Sequence, residues 1–212
     1  LCEEFIKYRE KNKRFKWDCN ARLNYAKPVF LKLMKKAGCV FLNYGIECFD
    51  NQVLKNMNKA LTEEIIERGI QNTLKEEIDI GFNMIWGNIG DNEETLKKSV
   101  DFLLKYDTCK QMRTIRPVTP YPGSPLYYSA IEKGLLDKVN PAEDFYERKH
   151  LNSDLLAVNF TELSDDKFYK LLSDANEKLI GNYYSKHSNT ILQETRNLYN
   201  NRDTNFRGFR AV

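Results

Sequence analysis

Residues 28–50 read PVFLKLMKKAGCVFLNYGIECFD, and two different periodicities meet inside them. Pro28 stands where a helix tolerates proline best, in the first turn, whose N–H would be unpaired in any case. Val29, Phe30, Leu33, Met34 and Ala37 follow at helical spacing, which predicts a helix with one apolar face, ended by Gly38. From Cys39 to Ile46 the chain becomes apolar and β-rich, punctuated by Gly45, as a strand covered on both faces would be. A helix that delivers the chain straight into such a strand is half of a βαβ unit, and repeating that unit builds a parallel sheet wrapped by helices.

The repetition is present on both sides of this stretch. Upstream, a helix over about residues 2–12 precedes a strand from Phe15 to Leu23, whose odd positions Phe15, Trp17, Cys19, Ala21 and Leu23 are apolar and share a face. Downstream, Thr62 with Glu63 and Glu64 marks a helix start and leads to a strand over Ile78–Trp86. After Gly87 and Gly90, the acids Asp91, Glu93 and Glu94 open a helix through Ser99, Val100, Leu103 and Leu104, which delivers Met112–Val118. A proline-rich corner spans Pro117–Pro125. Beyond Asp137 strand signals end, and Ser164-Asp165-Asp166 caps a helix carrying Phe168, Leu171, Leu172, Ala175 and Leu179 on one face. The pattern divides the chain into an α/β part, 1–137, and a helical extension, 138–212, whose end from Asn197 reads as a docked or partly disordered tail.

With 212 residues, the chain suits one domain or one domain with a short appendage. The net charge of +3 is the difference between 33 basic and 30 acidic side chains scattered along the sequence, so a nucleic-acid partner is not expected. No apolar run reaches the roughly 18 to 20 residues of a membrane span, and Leu1-Cys2-Glu3-Glu4 is no signal peptide, so no membrane partner and a cytoplasmic location are expected. The five cysteines, at 2, 19, 39, 48 and 109, lie 17, 20, 9 and 61 residues apart. That spacing holds no zinc pair and no disulfide framework, and they read as reduced core thiols.

Ligands of parallel α/β folds gather at the carboxyl ends of the strands. Four places qualify: Arg22, Glu47, Asn83, and Arg116–Gly123. A carboxylate, an amide and a cation converging there could hold a zwitterionic nucleoside through charge-assisted hydrogen bonds. Each also has a plainer reading: Arg22 as half of a surface ion pair, Glu47 and Asn83 as caps of the helices that follow them. His150 and His187 fall outside the strand ends and read as structural, as do Trp17, Trp86 and the Tyr183-Tyr184 pair.

The phrasing from Met34 to Glu64, including Gly45-Ile46-Glu47-Cys48-Phe49-Asp50 and Val53-Leu54-Lys55-Asn56-Met57-Asn58-Lys59, resembles the radical S-adenosylmethionine (SAM) superfamily, above all its cobalamin-associated and methylthiotransferase-like branches. Thr119-Pro120-Tyr121-Pro122-Gly123-Ser124-Pro125-Leu126-Tyr127 is similar to the phrase that commonly ends that family's barrel. The resemblance implies a partial (β/α) TIM-like barrel of six strands, of which this chain supplies the last four with a C-terminal helical extension. The first two, with the Cys-x-x-x-Cys-x-x-Cys loop that holds a four-iron, four-sulfur cluster, are expected upstream of Leu1.

By the same resemblance, Glu47 corresponds to a polar SAM ligand after the fourth barrel strand, and Lys59 to a basic residue that approaches the SAM carboxylate. Asn83 corresponds to a ribose ligand, Ile85 and Val118 to apolar neighbours of the adenine, and Arg22 to a residue near the methionine moiety. The sequence departs from the family at Gly87-Asn88-Ile89-Gly90-Asp91, which stands where Gly-x-Pro-Gly-Glu is usual. The implied activity is reductive cleavage of SAM to a 5'-deoxyadenosyl radical for methyl transfer, methylthiolation or rearrangement. It would act on a small-molecule or peptide substrate, with an electron donor such as flavodoxin or ferredoxin and, if a further domain lies upstream, cobalamin. The chain by itself is expected to be inactive. The alternative is a non-catalytic SAM-binding or interaction module; a barrel hydrolase or aldolase lacks a catalytic lysine, a Ser-His pair or a metal-ligand cluster at the strand ends.

Overall fold

In the computed structural model, which describes residues 1–149 and 158–201, the apolar run of the central unit forms strand β2, Cys39–Glu47. It lies between β1, Trp17–Ala21, and β3, Asp79–Trp86, and β4, Ile115–Pro117, completes a four-stranded sheet in the order β1-β2-β3-β4. Every pairing is parallel. Helix α1, Cys2–Lys11, precedes β1, and α2, Pro28–Lys36; α3, Asn51–Asn56; α4, Glu63–Lys75; and α5, Glu93–Tyr106 supply the connections. Downstream of β4 come α6, Pro125–Glu132; α7, Pro141–Arg148; and α8, Asp165–Asn200.

Strand alternation sorts the side chains by face. Leu42, Tyr44 and Ile46 of β2 and Ile80, Phe82, Met84 and Trp86 of β3 are buried in the main core, and Tyr44 reaches Thr73 of α4 at 2.8 Å. The opposite face carries the polar set. Asn20 pairs in register with Asn43, Asn43 with Gly81, Gly45 with Asn83, and Ile85 with Arg116.

Helix starts follow local chemistry. Thr62 caps α4 by accepting the Ile65 amide at 3.2 Å, and Ser164 caps α8 through the Lys167 amide at 3.4 Å. For α5 the cap is Asn92, in a reciprocal box with Thr95; Glu93 and Glu94 stand in the first turn as expected, and Asp91 lies before it. Asp91 has another task, described below.

Three expectations need correction. The apolar face of α2 is not the one its first turns suggest: Leu31 and Ala37 are buried, whereas Val29, Phe30 and Leu33 face outward. Nine residues at helical spacing are too few to choose between adjoining stripes, and packing against β2 and α4 selects the one through Leu31. The first and last strands are shorter than their apolar runs: Leu23–Tyr25 tighten into a 3-10 turn, and β4 begins only at Ile115, with Met112–Thr114 in the loop before it. Among the cysteines only Cys39, Cys48 and Cys109 are buried; Cys2 and Cys19 are partly exposed.

Helix α8 joins the sheet's own core. Phe168, Leu172, Ala175 and Leu179 pack with the β2 and β3 side chains, and Phe168 stacks on Trp86 at 4.7 Å with a 7° interplanar angle. Asn176 secures β4 by accepting the Ile115 amide at 2.8 Å and donating to the Ile115 carbonyl at 2.9 Å. His187 meets the Cys109 carbonyl oxygen at 3.1 Å, while His150 and the tail from residue 202 lie outside the described residues. Among the described residues no helix is long and apolar enough to cross a membrane.

Candidate active site at the strand ends

At the carboxyl end of β2 the ladder slips by one residue between Gly45 and Glu47, and Glu47 takes a left-handed backbone, φ 70. A non-glycine residue there is held against its preference, a feature that concentrates at functional positions. The turn aims the Glu47 carboxylate at Lys59, whose Nζ donates to Oε1 at 3.0 Å. Gly45 keeps the approach open, since a Cβ there would stand 3.0 Å from that oxygen. Lys59 is itself set between two left-handed residues, Asn58 (φ 52) and Ala60 (φ 53), and its amide is tied to the Leu54 carbonyl at 3.1 Å. With side chains only 21% and 25% exposed, the Glu47–Lys59 pair is less screened than a surface ion pair.

Glu47, Lys59, Asn83, Ile85 and Val118 all line one cavity of about 990 Å³. Arg22 is not part of the lining; its guanidinium donates to the Lys59 carbonyl at 3.3 Å and so supports the turn from outside. No ion pair forms at Arg22 within the described residues. The capping alternatives also fail, because Asp50 caps α3 and Asn92 caps α5, leaving Glu47 and Asn83 free of that work. The size sits at the upper end of the roughly 300–1,000 Å³ of small-molecule sites.

The loop after β3 closes one side. Asp91, 4% exposed, accepts the amides of Gly87 and Asn88 at 3.1 and 2.9 Å and the Thr95 hydroxyl at 2.7 Å. Burial raises its pKa, against the pull of those donors. Asn56 of α3 donates to the Ile89 carbonyl at 2.9 Å, so Asn88 and Ile89 are presented to the cavity from a fixed turn. On the other side, the proline-rich corner brings Thr119 and Tyr121 to the rim before Ser124 caps α6.

Residues not singled out from sequence also line it, Asn20, Asn43 and Arg113 among them, beside Thr119 from the expected Arg116–Gly123 place. Asn20 and Arg22 stand at the even positions of the first alternating strand, which was the available signal; Asn43 sits inside an apolar run and Arg113 in a loop, where pattern carries none. Asn43 Nδ2 donates to Asn20 Oδ1 at 2.8 Å, while Asn43 Oδ1 and Thr119 Oγ1 are buried without a hydrogen-bond partner. Orphaned acceptors in a cavity wall are costly unless a ligand donates to them.

A sequence model described as the Radical SAM superfamily matches residues 1–103. Over that stretch the chain is similar to the radical SAM superfamily. Curated relatives include bacteriochlorophyllide d C-12(1)-methyltransferase of Chlorobaculum tepidum, 28% identical over 163 residues, covering 72% of this chain and 34% of that protein. An uncharacterized methyltransferase of Pyrococcus horikoshii is 27% identical over 124 residues, covering 58% and 27%. The chain thus spans about a third or less of the length of these relatives.

Solved structures of the same fold include the radical SAM methyltransferase TsrM of Kitasatospora setae (TM-score 0.54, 18% identity, 62% of this chain and 26% of that chain). Coproporphyrinogen III oxidase of Escherichia coli, also a radical SAM enzyme, gives a TM-score of 0.55 at 13% identity over 85% of this chain and 36% of that chain.

Radical SAM enzymes use SAM and a four-iron, four-sulfur cluster. The cavity fits the first: an apolar slot at Ile85 and Val118, polar groups at Asn83, Asn43 and Thr119, and a charged pair at Glu47–Lys59. The described residues do not fit the second. Three thiolates in reach of one another are required, and among the described residues no cluster of three potential metal ligands occurs. No cysteine lines the cavity, and burial pushes the Cys39 thiol up to about 12.

Proposed function

We propose that this chain forms the SAM-binding wall of a radical SAM methyltransferase. Glu47 would accept from the SAM amino group, Lys59 would hold its carboxylate, Asn83 the ribose, and Ile85 and Val118 the adenine. The observation that carries the reading is that Glu47, Lys59 and Asn83, from two neighbouring parallel strands and the loop between them, open onto one cavity. Relatives that are methyltransferases favour methyl transfer over methylthiolation or rearrangement. When bound, SAM supplies the methyl group or, on reduction, a carbon-centred radical. The chain's own contribution is positioning, the strained turns at residues 47 and 58–60 holding the charged pair, and exclusion of water by Ile85, Val118 and Leu126.

A solved structure of TsrM carries cobalamin, which favours cobalamin as a further group in the whole protein; a one-electron donor would reduce the cluster. Visible absorption of the purified intact protein tests that part. For the SAM site, Lys59→Ala in the intact protein is expected to weaken SAM binding about tenfold, the loss of one charge-assisted hydrogen bond. Equilibrium dialysis with labelled SAM measures it; unchanged affinity removes Lys59 from the site.

A further inference from the structure

The charges of the cavity do not balance. Glu47 and Lys59 neutralise one another at 3.0 Å, and the remaining charged side chains of the lining are Arg113 and Arg116. Among the described residues Arg113 donates only to neutral amide oxygens, Asn83 Oδ1 at 3.4 Å and Gln111 Oε1 at 2.8 Å. Arg116, exposed on β4, has no hydrogen bond or ion pair with any described residue. The two guanidiniums feel each other. Burial lowers the Arg113 pKa from its ordinary value, Asp107 opposes that, and the Arg116 charge lowers it further. Asp107, outside the lining, faces Arg113 more strongly than Lys186 and offsets part of its charge, and one carboxylate against two guanidiniums leaves the cavity cationic.

Arg113 is accommodated by design of the strand beneath it. Gly81 interrupts β3 at mid-length, where glycine weakens a strand, and a Cβ there would overlap the Arg113 guanidinium and the Phe41 ring. The guanidinium carbon lies 5.6 Å from the centroid of that ring, so the cation is seated, not merely passing. Around the opening, Ile89, Met112 and Tyr121 line the cavity yet remain 40%, 48% and 50% exposed, an apolar rim beside a cationic floor.

We propose that Arg113 and Arg116 form an anion subsite for the methyl-accepting substrate, and that this substrate is a carboxylic acid whose large apolar body lies against Ile89, Met112 and Tyr121. The inference rests on the SAM reading of the same cavity, whose other half it assigns. Paired guanidiniums bind carboxylates bidentately, which a lysine pair would not. The same chemistry could instead serve the carboxylate of SAM, and the test separates the two.

Fluorescence titration of the intact protein with 1-pyrenebutyrate and with its neutral counterpart 1-pyrenebutanol reads the subsite, and equilibrium dialysis reads SAM. The acid is expected to bind about tenfold tighter than the alcohol. Arg116→Gln, on an exposed side chain whose loss spares the fold, should erode that preference while leaving SAM affinity unchanged; Arg113→Gln, which also releases Asn83, should erode it as well. Equal affinity for acid and alcohol overturns the proposal, as does a preference that survives both substitutions. Loss of SAM binding in parallel with acid binding in Arg116→Gln also overturns it and gives the guanidiniums to SAM. If Lys59→Ala spares SAM binding while the arginine-dependent acid preference persists, the anion subsite stands and the SAM reading falls.

Discussion

Asp50 shows how closely ordinary fold chemistry sits beside the site. Its Oδ1 caps α3 by accepting the Gln52 and Val53 amides at 3.0 and 3.2 Å, and its Oδ2 accepts from Lys98 of α5 at 2.8 Å. Desolvation pushes the carboxyl up, but Lys98 and the amides outweigh it and hold the pKa below the ordinary 3.8. Because folding depresses this pKa, the ionised group stabilises the fold fully above the unfolded value, and that contribution is lost as pH falls through the folded value. Asp50→Asn keeps a capping oxygen and removes the charge. Its urea midpoint should fall below that of the native chain near neutral pH, with the gap closing in acid below 3.8; a gap that persists there contradicts the assignment. At this scale the sequence was legible where a residue follows a strand in a distinctive phrase, as Glu47 and Lys59 do. Asn43 and Arg113 were not, because the first depends on which face of an apolar strand meets the cavity and the second on a loop returning beneath Gly81.

Among the elements, α8 has the largest structural consequence. Phe168 is fully buried, stacked on Trp86 of β3, and its ring fills the space that a Cβ on Gly87 would enter at 2.7 Å. Gly87, at φ 100, therefore serves both the turn after β3 and the seat of α8. Phe168→Ala should cost about 3–5 kcal/mol as a core truncation, read as a lowered urea midpoint with an unchanged slope. A loss under about 1 kcal/mol would mean that α8 is peripheral to the sheet. Helix starts with a hydroxyl cap, Thr62 and Ser164, were readable because the signal is local. The start of α5 was displaced by one residue, since Asp91 resembles a helix-opening acid yet turns inward to bind Gly87, Asn88 and Thr95. The outward face of α2 escaped sequence reading because a short helix with several apolar residues does not state which stripe its neighbours will cover.

For the molecule as a whole, four strands in sequential order with every neighbour parallel place the ends of β2, β3 and β4 around one hollow. The alternation of helix and strand made this architecture legible, and the distinctive phrases made the likeness to the radical SAM superfamily legible. The cavity's charge pattern was not, since it arises only when register sets Arg116 beside Ile85 and the loop before β4 brings in Arg113. The central claim is that this hollow is where SAM binds. A crystal structure of the intact protein grown with SAM tests it most directly. The adenine should lie against Ile85 and Val118, the ribose at Asn83, and the methionine end at Glu47 and Lys59; SAM bound elsewhere, with the Glu47–Lys59 pair untouched, would contradict it.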